Sequence, residues 1–205
     1  MAKSIRLVIP DSGVLISLAQ GGLLDLLTVF HQNVQVVITD VVEYEVTHRI
    51  DIDDARSIRA FLTKNADRVQ VDETSFASLL KSLRDHPDIE LPVDAGELSI
   101  YSYVTTTKES NPGEATLILF EDDWFIRNAV RPGNVHLLST RAFLDGLERI
   151  APEFASSAAL NEILRRRPTI QPAKVDKSAP KITEGTEWES SVSRSAVAKI
   201  GRRIR

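Results

Sequence analysis

Three stretches of the chain run from an apolar, strand-like segment straight into acidic residues that open a helical pattern. Ile5 to Pro10 (IRLVIP) leads into Asp11, and Thr116 to Phe120 (TLILF) into Glu121, Asp122 and Asp123. A weaker case is Leu91-Pro92-Val93, followed by Asp94 and Glu97. In a parallel α/β sheet the carboxyl ends of the strands share one edge, and ligands bind in the crevice there. Carboxylates far apart in sequence could then converge. Clustered carboxylates repel unless a cation sits between them, so the pattern predicts an acidic metal pocket. Mg2+ and Mn2+ take such hard oxygen ligands, and metal-assisted hydrolysis of a phosphodiester is the chemistry they support. Each acid also has a structural use. Asp is a favoured helix N-cap, and Asp94-Ala95-Gly96-Glu97 has the form of a capping box. The run Asp51, Asp53, Asp54 follows no strand and belongs with the caps.

Composition removes several alternatives. The 205 residues are 42% hydrophobic and 26% charged, enough apolar material for the core of one domain with an appendage. There is no cysteine, which excludes disulfides and thiolate metal sites. His31, His48, His86 and His136 lack the HxxxH spacing of a histidine-built zinc site. No P-loop pattern is present. No apolar run approaches the ~18 residues of a membrane span, and no signal-peptide core precedes Asp11, so a cytoplasmic protein is expected. The net charge of −4 is unevenly spread. Residues 168–205 hold eight Lys and Arg against four Asp and Glu, a net +4, which leaves −8 on the first 167.

Strands are expected at Ile5 to Ile9, Val34 to Ile38, Arg68 to Val71, Thr116 to Phe120 and Val135 to Leu138, with helical patterns between them. This alternation predicts a three-layer α/β/α domain with a mainly parallel central sheet over residues 1–167. Beyond it the composition turns to Pro, Lys, Ser and Thr, as in a linker, so 168–205 is expected to be a flexible, disordered basic extension. Within it Val192, Ala196, Ile200 and Ile204 recur at four-residue spacing among Arg194, Lys199, Arg202, Arg203 and Arg205. That stripe would suit a short amphipathic helix formed against a partner or the domain itself.

The ordered motifs resemble one family. LVIPDSGVLISLA is similar to the opening strand and helix of a PIN domain, VITDVVEYEV to its second motif, and DAGELSIYSYV to its third. LFEDDWFIRNAV with VHLLSTRAFLDGL resembles the last motif and closing strand-helix of bacterial VapC-like toxins. The resemblance spans about residues 3 to 150. It implies a Mg2+- or Mn2+-dependent endoribonuclease, often a homodimer neutralised by a cognate antitoxin. The implied ligands and catalytic residues are Asp11, Glu45, Glu97 and Asp123, with Asp122 and Asp94 as neighbouring ligands. Ser12 would support the first carboxylate by a hydrogen bond. Periodicity does not choose between Glu43 and Glu45, which both flank Val42 and Val46; the family pattern favours Glu45. Many relatives carry Ser or Thr two positions before the final carboxylate, where this chain has Glu121.

The expected reaction is metal-assisted attack of water on an RNA phosphodiester, with Arg127, Arg131, Arg141 and the basic tail as candidates to guide the strand. The rival from another class is a non-catalytic PIN-like module that binds a partner. A receiver-type phosphoacceptor domain also clusters acids at strand ends, but needs a Lys after a late strand. Here Val135 to Leu138 is followed by Ser139 and Thr140.

Overall fold

Five apolar segments become strands: β1 (Ile5–Pro10), β2 (Gln35–Thr39), β3 (Val69–Asp72), β4 (Ala115–Phe120) and β5 (Val135–Ser139). The computed structural model describes residues 5–49, 51–86, 90–110, 114–128, 134–167 and 188–204. All pairings are parallel, in the order β3-β2-β1-β4-β5. β4 and β5 are buried along their whole length, as strands covered on both faces must be. The expected strands agree with these to within one or two residues at each end.

The helices are α1 (Ser12–Gln20), α2 (Asp40–Thr47), α3 (Asp53–Lys64), α4 (Ala77–Asp85), α5 (Ala95–Ser110), α6 (Trp124–Arg127), α7 (Thr140–Ile150) and α8 (Ser156–Arg166). With the sheet they form the expected three-layer α/β/α architecture. Three strands pass into helices with no loop. Asp11, Thr39 and Ser139 each close a strand and cap the next helix, accepting from the amides of Val14, Val42 and Ala142. α1, α2 and α7 therefore all start from the carboxyl edge of the sheet. Among the described residues no helix is long and apolar enough to cross a membrane.

Two expectations are corrected. Leu91-Pro92-Val93 is not a strand. Pro92 has no N–H for a ladder. Leu91 instead packs against the small cluster of Val41, Leu80, Leu83 and Ala95, while Val93 is 85% exposed.

The second correction concerns the C-terminus. Residues 188–204 pack on the domain rather than forming a disordered extension, while residues 168–187 and 205 of the expected extension lie outside the described residues. A 3-10 turn (Trp188–Ser191) leads to α9 (Arg194–Ile204). Trp188, Val192, Val197 and Ala198 join the main core, with Ala196, Ile200 and Ile204 packed on it. The indole of Trp188 lies 5.6 Å from the Phe143 ring and over Gly146, where it occupies the space a Cβ would need. The His31 amide donates to the Ser191 carbonyl and the Ser193 amide to the Val29 carbonyl, flanking a bridge between Phe30 and Val192. Composition suggested disorder because the apolar residues are few. Their spacing puts nearly all of them on one face, and the domain supplies the surface that face needs.

Truncating Trp188, which is 3% exposed, to Ala should cost ~3–5 kcal/mol. Chemical denaturation of the full chain checks this; a variant as stable as wild type would mean that the segment is not docked in solution.

Candidate functional site

β1 and β4 lie side by side, while β1 connects onward to β2 and β4 to β5 on opposite sides. The strand order reverses here, where an α/β sheet opens a crevice outside its carboxyl ends. Asp11 stands at this point, 3% exposed. Its Oδ1 accepts from the Val14 amide at 2.7 Å and its Oδ2 from the Glu121 amide at 2.9 Å. One carboxylate thus caps α1 and ties the end of β1 to the end of β4. Burial pushes the Asp11 carboxyl up to about 7; repulsion by Glu121 and Glu97 adds to this, and the two amides oppose it.

α2 turns Glu45 toward the same place. Ser12 Oγ donates to Glu45 Oε2, and the Gly96 amide donates to Oε1 at 3.1 Å. Gly96 leaves room for this contact, since a Cβ would stand 2.5 Å from Glu45 Oε2 and push the carboxylate aside. The beginnings of α1 and α5 are therefore pinned to one α2 side chain. Glu43, in contrast, accepts from Thr47 Oγ1 at 2.8 Å within its own helix. Ser12 supports Glu45, where support for Asp11 was expected. Burial raises the Glu45 carboxyl, against the hydrogen bonds from Ser12 and Gly96.

Glu97, in the first turn of α5, is raised by burial and by the negative charges of Glu45, Asp94 and Asp122. Asp94 is exposed at φ +60, and its carbonyl accepts the Leu98 amide at 2.9 Å. This left-handed start replaces the extended N-cap geometry of a capping box; Asp tolerates it better than most residues. Asp122 Oδ1 accepts from the Trp124 amide at 3.0 Å, and Asp123 pairs with Arg127 at 2.9 Å. The structure thus gathers Asp11, Glu45 and Glu97, with Asp94 and Asp122 close enough to act on Glu97. Asp122 and Asp123, both expected ligands, share the Arg127 guanidinium, at 3.5 and 2.9 Å.

Glu121 was legible only as one acid in a run. It is 4% exposed; Oε1 accepts from Thr140 Oγ1 at 2.9 Å and Oε2 from Arg167 Nη1 at 3.1 Å. No local pattern pairs Glu121 with Arg167. Asp40, also at a strand end, is buried and accepts from Thr74 Oγ1 at 2.7 Å, toward β3. Arg141 follows β5 and pairs with Asp145 at 3.2 Å, whereas Arg131 lies outside the described residues. Among the described residues no group of three or more His, Cys, Asp or Glu side chains is arranged to hold a metal ion. Mg2+ is commonly held by one or two carboxylates with several waters, so a closed cage is not the form to expect. The donors present are all hard oxygens whose ionised forms are disfavoured by burial and by one another. A divalent cation would relieve both effects, and the chemistry of this donor set suits a hard cation.

No family model, no curated protein and no solved structure matches the chain. The likeness to PIN domains therefore rests on the ordered motifs.

Asp11, Glu45, Glu97 and Glu121 all have carboxyls raised above their ordinary range. A raised acid stabilises the folded state below its unfolded pKa and loses that contribution as pH rises through the folded value. For Asp11 the window runs from 3.8 to about 7, on the order of 4 kcal/mol between protonation states. Metal-free protein should therefore melt at a lower temperature at pH 8 than at pH 5. Asp11→Asn should narrow the difference, and Mn2+ should raise the melting temperature mainly at pH 8. A flat pH profile of thermal unfolding would contradict the electrostatics.

Proposed function

We propose that this chain is a Mg2+- or Mn2+-dependent endoribonuclease of PIN type, hydrolysing RNA phosphodiester bonds in the cytoplasm. The observation that carries the reading is the meeting of Asp11, Glu45 and Glu97 at the strand-order reversal, each from a different segment and each raised by burial. These three, with Asp122 or Asp123, would hold the cation. Bound there, it activates water and neutralises charge on the leaving oxygen of the phosphodiester. Ser12 and Gly96 hold Glu45 in one orientation, and the Val14 and Glu121 amides do the same for Asp11. Such preorganisation lets the carboxylates meet a ligand without reordering. Arg127 and Arg141 lie in helices on this edge and, if they exchanged their pairing with Asp123 and Asp145 for phosphate, would contact the RNA backbone. With the toxin resemblance we include a homodimer and a cognate antitoxin in the proposal.

A second reading has one observation in its favour. Glu121 and Asp123 are already matched by Arg167 and Arg127. A domain whose acids are neutralised from within could be a non-catalytic module that binds a partner.

Purified protein and unstructured RNA, with Mg2+, Mn2+ or EDTA, decide between the two. Cleavage should require the metal. Asp11→Asn and Glu45→Gln should each lower the rate by more than ~100-fold, since loss of a supporting group alone costs ~10–100-fold. Glu43→Gln, whose carboxylate faces Thr47, should stay within a few-fold of wild type. Metal-independent cleavage, or none under any condition, would overturn the enzymatic reading; equal losses at Glu43 and Glu45 would overturn the residue assignment.

A further inference from the structure

Glu121 is a carboxylate that the expected motif does not contain, placed one peptide from the group it most affects. Its backbone amide holds Asp11 Oδ2, while both oxygens of its side chain are occupied, by Thr140 from α7 and by Arg167. Arg167 caps the end of α8 and reaches back under α1. Its Nη1 stands 3.1 Å from Glu121 Oε2, 2.5 Å from Ser17 Oγ and 3.4 Å from the Gly13 carbonyl. The guanidinium is thus a buttress shared by α1, α8 and the end of β4. A buried carboxylate that loses its counter-charge is destabilising, and it is relieved either by taking up a proton or by moving toward water. For Glu121 that movement would carry the amide off Asp11 and shift the turn bearing Asp122 and Asp123.

We infer that Arg167 is a positioning residue for this centre, acting through Glu121 on the orientation of Asp11 and of the 121–123 turn. It does not touch the reacting atoms. Its effect on cation affinity rests on the nuclease reading; its effect on Asp11 geometry does not. The arrangement also gives Glu121 a role other than ligand, because Arg167 occupies the oxygen a cation would need.

The test compares full-length wild type with Arg167→Met, Arg167→Lys and the double variant Glu121→Gln/Arg167→Met. Amide hydrogen exchange by NMR reads the Glu121 amide, with the remote Ala151 amide, bonded to the Leu147 carbonyl, as control. Arg167→Met should speed exchange at Glu121 by at least ~10-fold and leave Ala151 unchanged, the signature of local opening. The other two variants should return close to wild type, Lys because all three contacts go through one nitrogen, the double variant because no charge is left stranded. Mn2+ affinity by calorimetry should fall ~10–100-fold in Arg167→Met and recover alongside. Unchanged exchange in a folded Arg167→Met overturns the inference. If that variant does not fold, a double variant with fast Glu121 exchange overturns it, and one with wild-type exchange supports it. Wild type that binds no Mn2+ and cuts no RNA would remove the nuclease reading, while the exchange data would still decide the placement of Asp11.

Discussion

The amide of Glu121 donates to the carboxylate of Asp11 across 110 positions of sequence, and that hydrogen bond joins the carboxyl ends of the two central strands. Most features of the acidic centre follow from keeping Asp11 there. Burial penalises its charge, and Glu97 and Glu121 add repulsion to that penalty. Two backbone amides offset part of the cost, and Thr140 and Arg167 satisfy Glu121. What remains is a set of buried carboxyls at the carboxyl ends of β1 and β4, where the strand order reverses.

The placement of helix starts makes the convergence possible. Because Asp11, Thr39 and Ser139 end their strands and cap their helices at once, no loop separates the sheet edge from the helix N-termini. Each junction brings a partial positive charge to the same rim that collects the carboxylates. Gly96 lets α5 come close enough for its amide to reach Glu45. A Cβ at that position would meet the Glu45 carboxylate and displace it.

Charge is segregated along the strand axis. The C-terminal segment touches Val29, Phe30 and His31, which precede β2, and the corner at Glu153 and Phe154 that follows α7. These parts belong to the amino edge of the sheet, opposite the acidic rim. The exposed Arg194, Lys199, Arg202 and Arg203 of α9 therefore sit at the far end of the molecule from Asp11. The described part of the basic tail, residues 188–204, is a clamp on the core whose exposed basic residues lie away from the site.

By itself the sequence determined the architecture and the acidic edge. Strand and helix signals are local, so IRLVIP, TLILF and the caps after them could be recognised without knowing their neighbours. Parallel connectivity then obliges the strand ends to share an edge. Pairings between distant segments were decided by the tertiary structure alone. Glu45 and Glu43 flank the same apolar stripe, so periodicity leaves them equal, and it is the approach of Ser12 and Gly96 that sets Glu45 apart in space. Pro92 and Val93 looked like a strand because three residues carry too little pattern to exclude one. Glu121 meets Arg167, and Trp188 meets Phe143 and Gly146, through surfaces that exist only once the sheet and its helices are assembled. A buried ion pair and a docked amphipathic helix leave no mark in local periodicity, because the partner that makes each favourable is supplied by the rest of the fold.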